Sequence, residues 1–548
     1  MNHVHPARPR PGRRPAYPVL LASAAVVLLT ASACSDATGG STTFTEPGPG
    51  GTLSYALSQA PDCPDPQQAG QNMAVYIARQ VADSLTDQDP ETGEITGWLA
   101  ESWEVDDAGT EFTFQLRPEV TYSDGTPVDA ESVRTNFDSI AFELGASAPL
   151  GSTYLAGYRE TRVEDPLRAT VVFEEPNAQF LQATSTFSLA LVADATVRTP
   201  LDRRCQGEVI GSGPFVVSEF VEDQRVMLTR RDDYDWASPV VKHSGAAYLD
   251  AVDFQIIPES SVRAGSLASG QLDAVSDVLP QDTPQIQAGG GSVLSTANPG
   301  VPFILQPNVS RGPLAEEAVR DAVQLGIDRA ELVETLLGEH FHPATSVLAH
   351  TTPGYADLSA ELSHDPDAAA ELLDRAGWTS GPEGIRVRDG EALSIDVVFS
   401  AAFSGSQAVL ELVQQQLRAI GVDLRLRLVT PAESAQLQED GDYDFYFYNT
   451  TRADPDILRT LFSTDFVNRN LRASDEELDP LLARQAATLD VDERDALVAE
   501  AQLLIVDRGF AIPLFELSQA IGVSGDVHDL AFEASARLRF HDVWLADR

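Results

Sequence analysis

Past residue 51 the hydrophobic positions fall into two rhythms. Phe112, Phe114 and Leu116 recur at every second position and predict a strand over 111–116, with further short β runs at 171–173 and 252–257 bounded by Pro and Gly. In the C-terminal half the pattern predicts a strand over 393–399, a helix over 406–420 closed by Gly421, and a second strand in which Val422, Leu424, Leu426 and Leu428 alternate. Strand, helix and strand at these lengths imply a parallel βαβ unit. Asp365 is placed to cap a helix with Pro366 at its first position and Gly377 beyond its end, and Leu372, Leu373 and Ala376 form its apolar stripe. A longer helix or helix pair is predicted over 315–337 from Val319, Ala322, Val323, Ile327, Val333 and Leu336. Asp124-Gly125 followed by Thr126-Pro127 reads as a turn before a helix, and Gly211, Gly213 and Pro214 as a tight turn into a strand at 215–217.

The first 33 residues break this pattern. Arg8, Arg10, Arg13 and Arg14 precede an apolar run over 19–31, then small residues and Cys34, the layout of a secretory signal peptide over 1–33. The run is shorter than the roughly 20 apolar residues that span a bilayer, and no comparable run follows. Ala31-Ser32-Ala33-Cys34 resembles a lipobox, whose cysteine becomes a lipidated N-terminus, although Ala31 stands where Leu is usual. The same small residues satisfy ordinary signal cleavage, which would release a soluble protein. Residues 34–51 are rich in Gly, Ser, Thr and Pro and read as a flexible tether. Assigning Cys34 to lipid leaves Cys63 and Cys205 as an even pair in an oxidising compartment, and a disulfide between them is expected, with two free thiols as the alternative.

Composition narrows the chemistry. A formal net charge of −46 repels phosphate backbones and anionic lipid headgroups, so nucleic acid is not an expected partner and the membrane is reached through the lipid anchor only. The sole lysine, Lys242, follows Val241, which rules out a P-loop in this chain. No GxSxG, HExxH or CxxC sequence occurs, so no enzyme, catalytic residue or cofactor is expected. His340, His342 and His350 bring metal-ligand residue types together, but a loop beside Pro343 lacks the convergence a metal site needs, and no metal site is assigned.

A series of motifs, in order along the chain, resembles the family 5 extracellular solute-binding proteins of bacterial ABC importers, which serve dipeptides, oligopeptides and nickel. It begins with WLAESWE from Trp98 and FTFQLRPEVTYSDGTPVDAESVRTNF from Phe112. It continues with IGSGPFVV from Ile210, YLDAVDFQIIPE from Tyr248, SGQLDAV from Ser269, AVRDAVQLGIDRAELV from Ala318, HDPDAAAELLDRAGW from His364 and ADPDILRTLF from Ala453. The resemblance implies an α/β fold of two periplasmic-binding-protein-like lobes that close by a hinge around ligand, lobe one carrying an extra subdomain. Lobe one is expected to comprise 52–299 and 513–548, and lobe two 300–512. A small peptide-like or polar solute is the expected ligand, with permease and separate ATPase subunits as partners and a monomer as the working form. A binding protein for a non-peptide anion or metal chelate, or for a sensor partner, remains the alternative.

The resemblance also points to contacts within 443–456. In peptide-binding relatives an acidic residue three positions before the equivalent of Asp454 pairs with the peptide ammonium; in this sequence that position is Thr451, and Arg452 follows. A guanidinium there suits an anion better than an amine, unless Arg452 instead pairs with Asp454 or Asp456 at the surface. Tyr448, Asn449 and Asp454 are further ligand-contact candidates, although alternation sends half of the strand that holds the first two into the core. Pro61 and Asp62, after the first strand, match a stretch that lines the family's cleft.

Overall fold

A computed structural model of the chain describes residues 46–400, 403 and 405–546. Residues 1–45, which hold the expected signal segment and Cys34, lie outside them. Among the described residues no helix is long and apolar enough to cross a membrane.

The βαβ unit forms where the spacing predicts it. Ser394–Phe399 pairs in parallel with Asp423–Leu428, and the crossover helix Ser406–Ala419 buries Val409, Leu410, Val413 and Leu417. Each of these side chains contributes about 1.5–3 kcal/mol by leaving water. Asp365 caps Pro366–Arg375 by accepting from the Ala368 N–H at 2.9 Å, and Gly377 follows at φ +85°. The 315–337 pattern is a pair: Glu317–Leu325 stops at Gly326, and the Asp328 carboxylate accepts from the Glu331 N–H to start Arg329–Leu332.

These elements build two lobes. The first centres on a seven-stranded sheet in the order Ser292–Ala297, Ser518–Val523, Ala274–Val275, Thr52–Leu57, Ala251–Ile256, Arg225–Arg230 and Phe215–Val221. Tyr55, Tyr76, Phe254 and Phe540 pack in its core, Tyr55 meeting Tyr76 and Phe540 edge to face. The second centres on a six-stranded sheet in the order His342–Pro343, Ile512–Glu516, Gly300–Pro307, Phe445–Thr451, Ser394–Phe399 and Asp423–Leu428. Phe303, Phe447 and Phe515 stack in one of its cores, and Val301 and Ile304 enter another with Leu482 and Val498. A separate four-stranded antiparallel sheet, ordered Ala100–Val105, Glu111–Leu116, Arg168–Phe173 and Tyr158–Asp165, encloses Phe112, Phe137 and Phe180. It is inserted between strands of the first sheet.

The chain crosses between the two large sheets at two short connections. One is Asn298-Pro299, between Ser292–Ala297 and Gly300–Pro307; the other is Leu517, between Ile512–Glu516 and Ser518–Val523. The return therefore falls later than the expected 512/513 boundary, because Pro513 and Phe515 still register against Ile304 and Phe303. Residues 50 and 51, expected to end the tether, are held against the first lobe: Gly50 N–H donates to Tyr248 O at 2.8 Å and Gly51 N–H to Asp250 Oδ2 at 3.0 Å.

The two glycine-bearing turns behave differently. Gly125 turns at φ +83° with open space around it, as the Asp124-Gly125 turn requires. At Gly211 the demand is close approach: a Cβ there would lie 1.8 Å from Val81 O, and at Gly213 one would lie 2.5 Å from Gln80 O. That turn packs directly on the end of helix Asn72–Val81. Nearby, Cys63 and Cys205 form a disulfide across a sequence separation of 142 residues, with Cα atoms 4.3 Å apart.

Two outcomes follow for stability. Gly211→Ala should cost about 3 kcal/mol or more, because backbone must move to admit the methyl group. Gly125→Ala should cost about 1 kcal/mol, from conformation alone; equal denaturation midpoints for the two variants would contradict this packing. Replacing Cys63 and Cys205 by Ala should lower stability by about 2–5 kcal/mol in the same assay, through the long loop released in the unfolded chain.

Candidate functional site

Asn298 lies where the two crossings meet. Its N–H donates to Leu517 O at 2.8 Å, so the connections are bonded to each other. Its side-chain Nδ2 donates to Thr451 Oγ1 at 2.7 Å, and its Oδ1 accepts from Gln519 Nε2 at 2.8 Å. Gln519 Oε1 in turn accepts from the Tyr76 hydroxyl. One polar chain thus runs from a helix of the first lobe, through the crossing, to the end of strand Phe445–Thr451 in the second.

Past Thr451 the backbone is pinned by close approach. Arg452 N–H donates to Pro299 O at 3.0 Å, and a Cβ on Gly300 would lie 2.4 Å from Thr450 O, so a side chain cannot stand there. The following carboxylates are committed to structure. Asp454 is buried and accepts from both terminal nitrogens of Arg494, at 2.6 and 2.9 Å. Burial is the largest single influence and opposes its ionisation, but the charge and hydrogen bonds of Arg494, the Asp456 N–H and the charge of Arg452 together hold its carboxyl below the ordinary range. Asp456 pairs with Arg459 at 2.7 Å. Arg452 therefore makes no surface pair with either aspartate. It is 2% exposed, its guanidinium carbon lies 4.2 Å from the Tyr154 ring centroid, and it donates to Thr460 Oγ1 at 3.1 Å and to Gln179 Oε1. Tyr154 and Gln179 belong to the inserted subdomain, so Arg452 reaches across from one lobe to the other. Ala178 N–H reinforces that contact by donating to Ala486 O at 2.9 Å.

The other residues singled out from sequence divide between this site and elsewhere. Asn449 and Thr451 lie half-buried on the strand that leads to Arg452. Tyr448 faces lobe two, where its hydroxyl donates to Gln306 and its ring lies 4.6 Å from the Arg469 guanidinium carbon. Pro61 and Asp62 line a separate cavity beside the disulfide, with Asp202, Phe220 and Glu222, and burial pushes the Asp62 carboxyl up. The three histidines are spread over different partners: His340 meets Ser295 Oγ at 3.1 Å and His350 meets Glu516 at 2.5 Å, while His342 packs edge to face on His350. Among the described residues, the metal-ligand types that do converge are His243, His541 and Asp542 in lobe one, where both Nδ1 atoms lie within 3.0 Å of Asp542 Oδ1.

Sequence reasoning passed over Tyr154, Gln179, Asn298 and Arg537. Arg537 ends the tight turn between Ala531–Phe532 and Leu538–Arg539, where Ala536 holds φ +59° and Ala536 N–H donates to Glu533 O at 2.8 Å. Its charge acts on Tyr76, Glu533 and Tyr154, and burial pulls its pKa down. Burial likewise pushes the Tyr154 hydroxyl up. These four residues stand outside any motif or periodic pattern; Tyr154 and Gln179 meet Arg452, and Asn298 bonds the Thr451 that precedes it.

The model of bacterial extracellular solute-binding proteins, family 5 (middle region), matches residues 94–468. The nickel-binding periplasmic protein of Escherichia coli K12 is 26% identical over 446 residues, covering 78% of this chain and 82% of that protein. Glutathione-binding protein GsiB of Salmonella paratyphi A is 24% identical over 469 residues, covering 82% and 86%. NikA from Brucella suis, solved in complex with Fe(III)-EDTA, has a TM-score of 0.79 at 22% identity and covers 90% of this chain and 100% of its own. These relatives are binding proteins rather than enzymes. With well over half the chain matched, the protein belongs to the family 5 bacterial extracellular solute-binding proteins, the substrate-binding components of ABC importers.

Proposed function

We propose that this protein is the lipid-anchored, extracytoplasmic capture subunit of an ABC importer. It encloses a small polar or peptide-like solute between lobes one and two and presents it to permease subunits driven by separate ATPases. The observation that carries the reading is the pair of bonded crossings at Asn298-Pro299 and Leu517. Two large sheets joined there can change their mutual angle by backbone rotation at a few residues, and Arg452 on Tyr154 and Gln179 supplies contacts that form when the lobes meet. Lobe one comprises residues 52–297 together with 518–546, and lobe two the residues between them. The names of the nickel- and glutathione-binding relatives support a small, polar cargo. Cys34, in the lipobox-like stretch, is the proposed anchor, and the chain works as a monomer.

Lobe closure has a direct readout. Small-angle scattering of the mature protein should give a smaller radius of gyration when a solute that raises its melting temperature is added to saturation; an unchanged radius would remove the capture mechanism. For the anchor, a fatty-acid probe fed to producing cells should label the wild type and leave Cys34→Ala unlabelled, whereas equal labelling of both would place the protein free of lipid.

A further inference from the structure

His243 lies in the irregular stretch before strand Ala251–Ile256, and His541 and Asp542 lie in the turn after Leu538–Arg539. The three meet across a separation of 299 positions, with His541 and Asp542 buried. His243 Nδ1 is 2.9 Å and His541 Nδ1 3.0 Å from the same carboxylate oxygen, Asp542 Oδ1. The other ring nitrogens face backbone: His243 Nε2 is 3.1 Å from Ala246 O, and His541 Nε2 is 2.9 Å from Gly245 O. A carbonyl can only accept, so each Nε2 carries the hydrogen, and in a neutral imidazole that leaves Nδ1 as a lone pair. Two lone pairs then point at an anionic oxygen, a contact that repels unless positive charge stands between them. Protons on both Nδ1 atoms would supply it only by making two cations of rings stacked at 4.2 Å, with one carboxylate to share. Among the described residues no lysine or arginine pairs with Asp542, since Lys242 Nζ is held by Asp529 and Arg539 by Asp87.

We propose that His243, His541 and Asp542 bind a divalent transition-metal ion of the zinc class, which fastens the C-terminal end of lobe one to the 242–248 stretch. Metal–nitrogen and metal–oxygen bonds of about 2.0–2.2 Å set neighbouring ligand atoms roughly 2.9–3.5 Å apart. Both N···O separations fall at the near end of that range, and all three ligand atoms lie within 4.8 Å of one another. A ligating histidine gives its other N–H to a carbonyl or carboxylate, which fixes the tautomer, and both rings are placed to do so. Asp542 Oδ2 accepts from the Lys242 N–H at 2.9 Å, leaving Oδ1 for the ion. Tyr248 stacks on the outer face of the pair, 4.0 Å from His243. Stacked rings aim their lone pairs along neighbouring lines, so an ion held by both splays them, and His243, 17% exposed against 4% for His541, is the ring with room to turn. Two imidazoles and one carboxylate favour Zn(II), Ni(II) or Co(II) over Mg(II) or Ca(II), which prefer oxygen, and leave a further position for water. The site involves lobe one alone, so it does not depend on what the lobes enclose.

The test is calorimetric titration of chelator-treated mature protein with Zn(II), Co(II), Mg(II) and Ca(II), with Co(II) also followed by its visible absorption. One equivalent of Zn(II) should bind and raise the melting temperature, and Mg(II) and Ca(II) should do neither. His243→Gln, His541→Gln and Asp542→Asn should each weaken zinc by about tenfold or more, and Asp542→Asn should alter the Co(II) spectrum. Replacing both His342 and His350 by Gln should leave the zinc affinity unchanged, which separates this site from the other histidines. Without metal, Asp542→Asn should melt no lower than the wild type, because its amide oxygen still accepts from the Lys242 N–H while its NH2 group donates to the Nδ1 lone pairs. A clear drop in that variant would show that protons hold the cluster and would overturn the proposal. Failure of zinc to bind, or equal zinc affinity in His541→Gln, would overturn it as well. Zinc that ignores all three substitutions and reduces the radius of gyration would be cargo held between the lobes, which also overturns the site while keeping solute capture.

Discussion

The chain passes between its two large sheets at Asn298-Pro299 and at Leu517, and Asn298 binds both passages together. Its backbone holds Leu517, and its side chain holds Thr451 on one side and Gln519 on the other. The placement of the lobes depends on this residue more than on any apolar contact, because each lobe has its own core. Gly300 makes the constraint rigid on the lobe-two side, where strand Gly300–Pro307 lies too close to Thr450 and Arg452 for a side chain. Rotation at the crossing therefore carries Arg452 with the lobe as one body.

Electrostatics complete that arrangement. Buried ion pairs contribute little net stability, since desolvation offsets most of their attraction. The pairs Asp454–Arg494 and Asp456–Arg459 are better understood as positioning devices that fix the turn after Thr451 and hold Arg452 toward Tyr154.

The regular elements were readable from sequence because periodicity and capping are local. The 406–419 helix, its two parallel strands and the Asp365 cap each follow from residues a few positions apart. The turn at Gly211 was readable as a turn, but its physical reason was not, since Val81 approaches it from a distant part of the chain. The same limit applies to the site. Arg452 could be singled out because it sits in a motif, whereas Tyr154, Gln179 and Asn298 gain their roles from neighbours hundreds of positions away. Tyr448 shows the converse: strand alternation left its direction open, and Gln306 and Arg469 draw it into lobe two. The later return of the chain to lobe one was hidden for a similar reason, as a strand's sheet membership depends on the partner it registers with.

The inserted subdomain hangs from a narrow neck. Leu191 N–H donates to Asp83 O at 3.0 Å and Thr86 N–H to Thr184 O at 3.2 Å, so the chain leaves lobe one and returns to it side by side. What lies beyond the neck folds around an aromatic core that Tyr234 and Trp236 of lobe one complete, and contributes Tyr154 and Gln179 to the contact with Arg452. On the proposed reading one wall of the cleft is thus carried by an insertion rather than by either large sheet. A substitution at Tyr154 or Gln179 changes what meets Arg452 while leaving the strand registers of both sheets as they are.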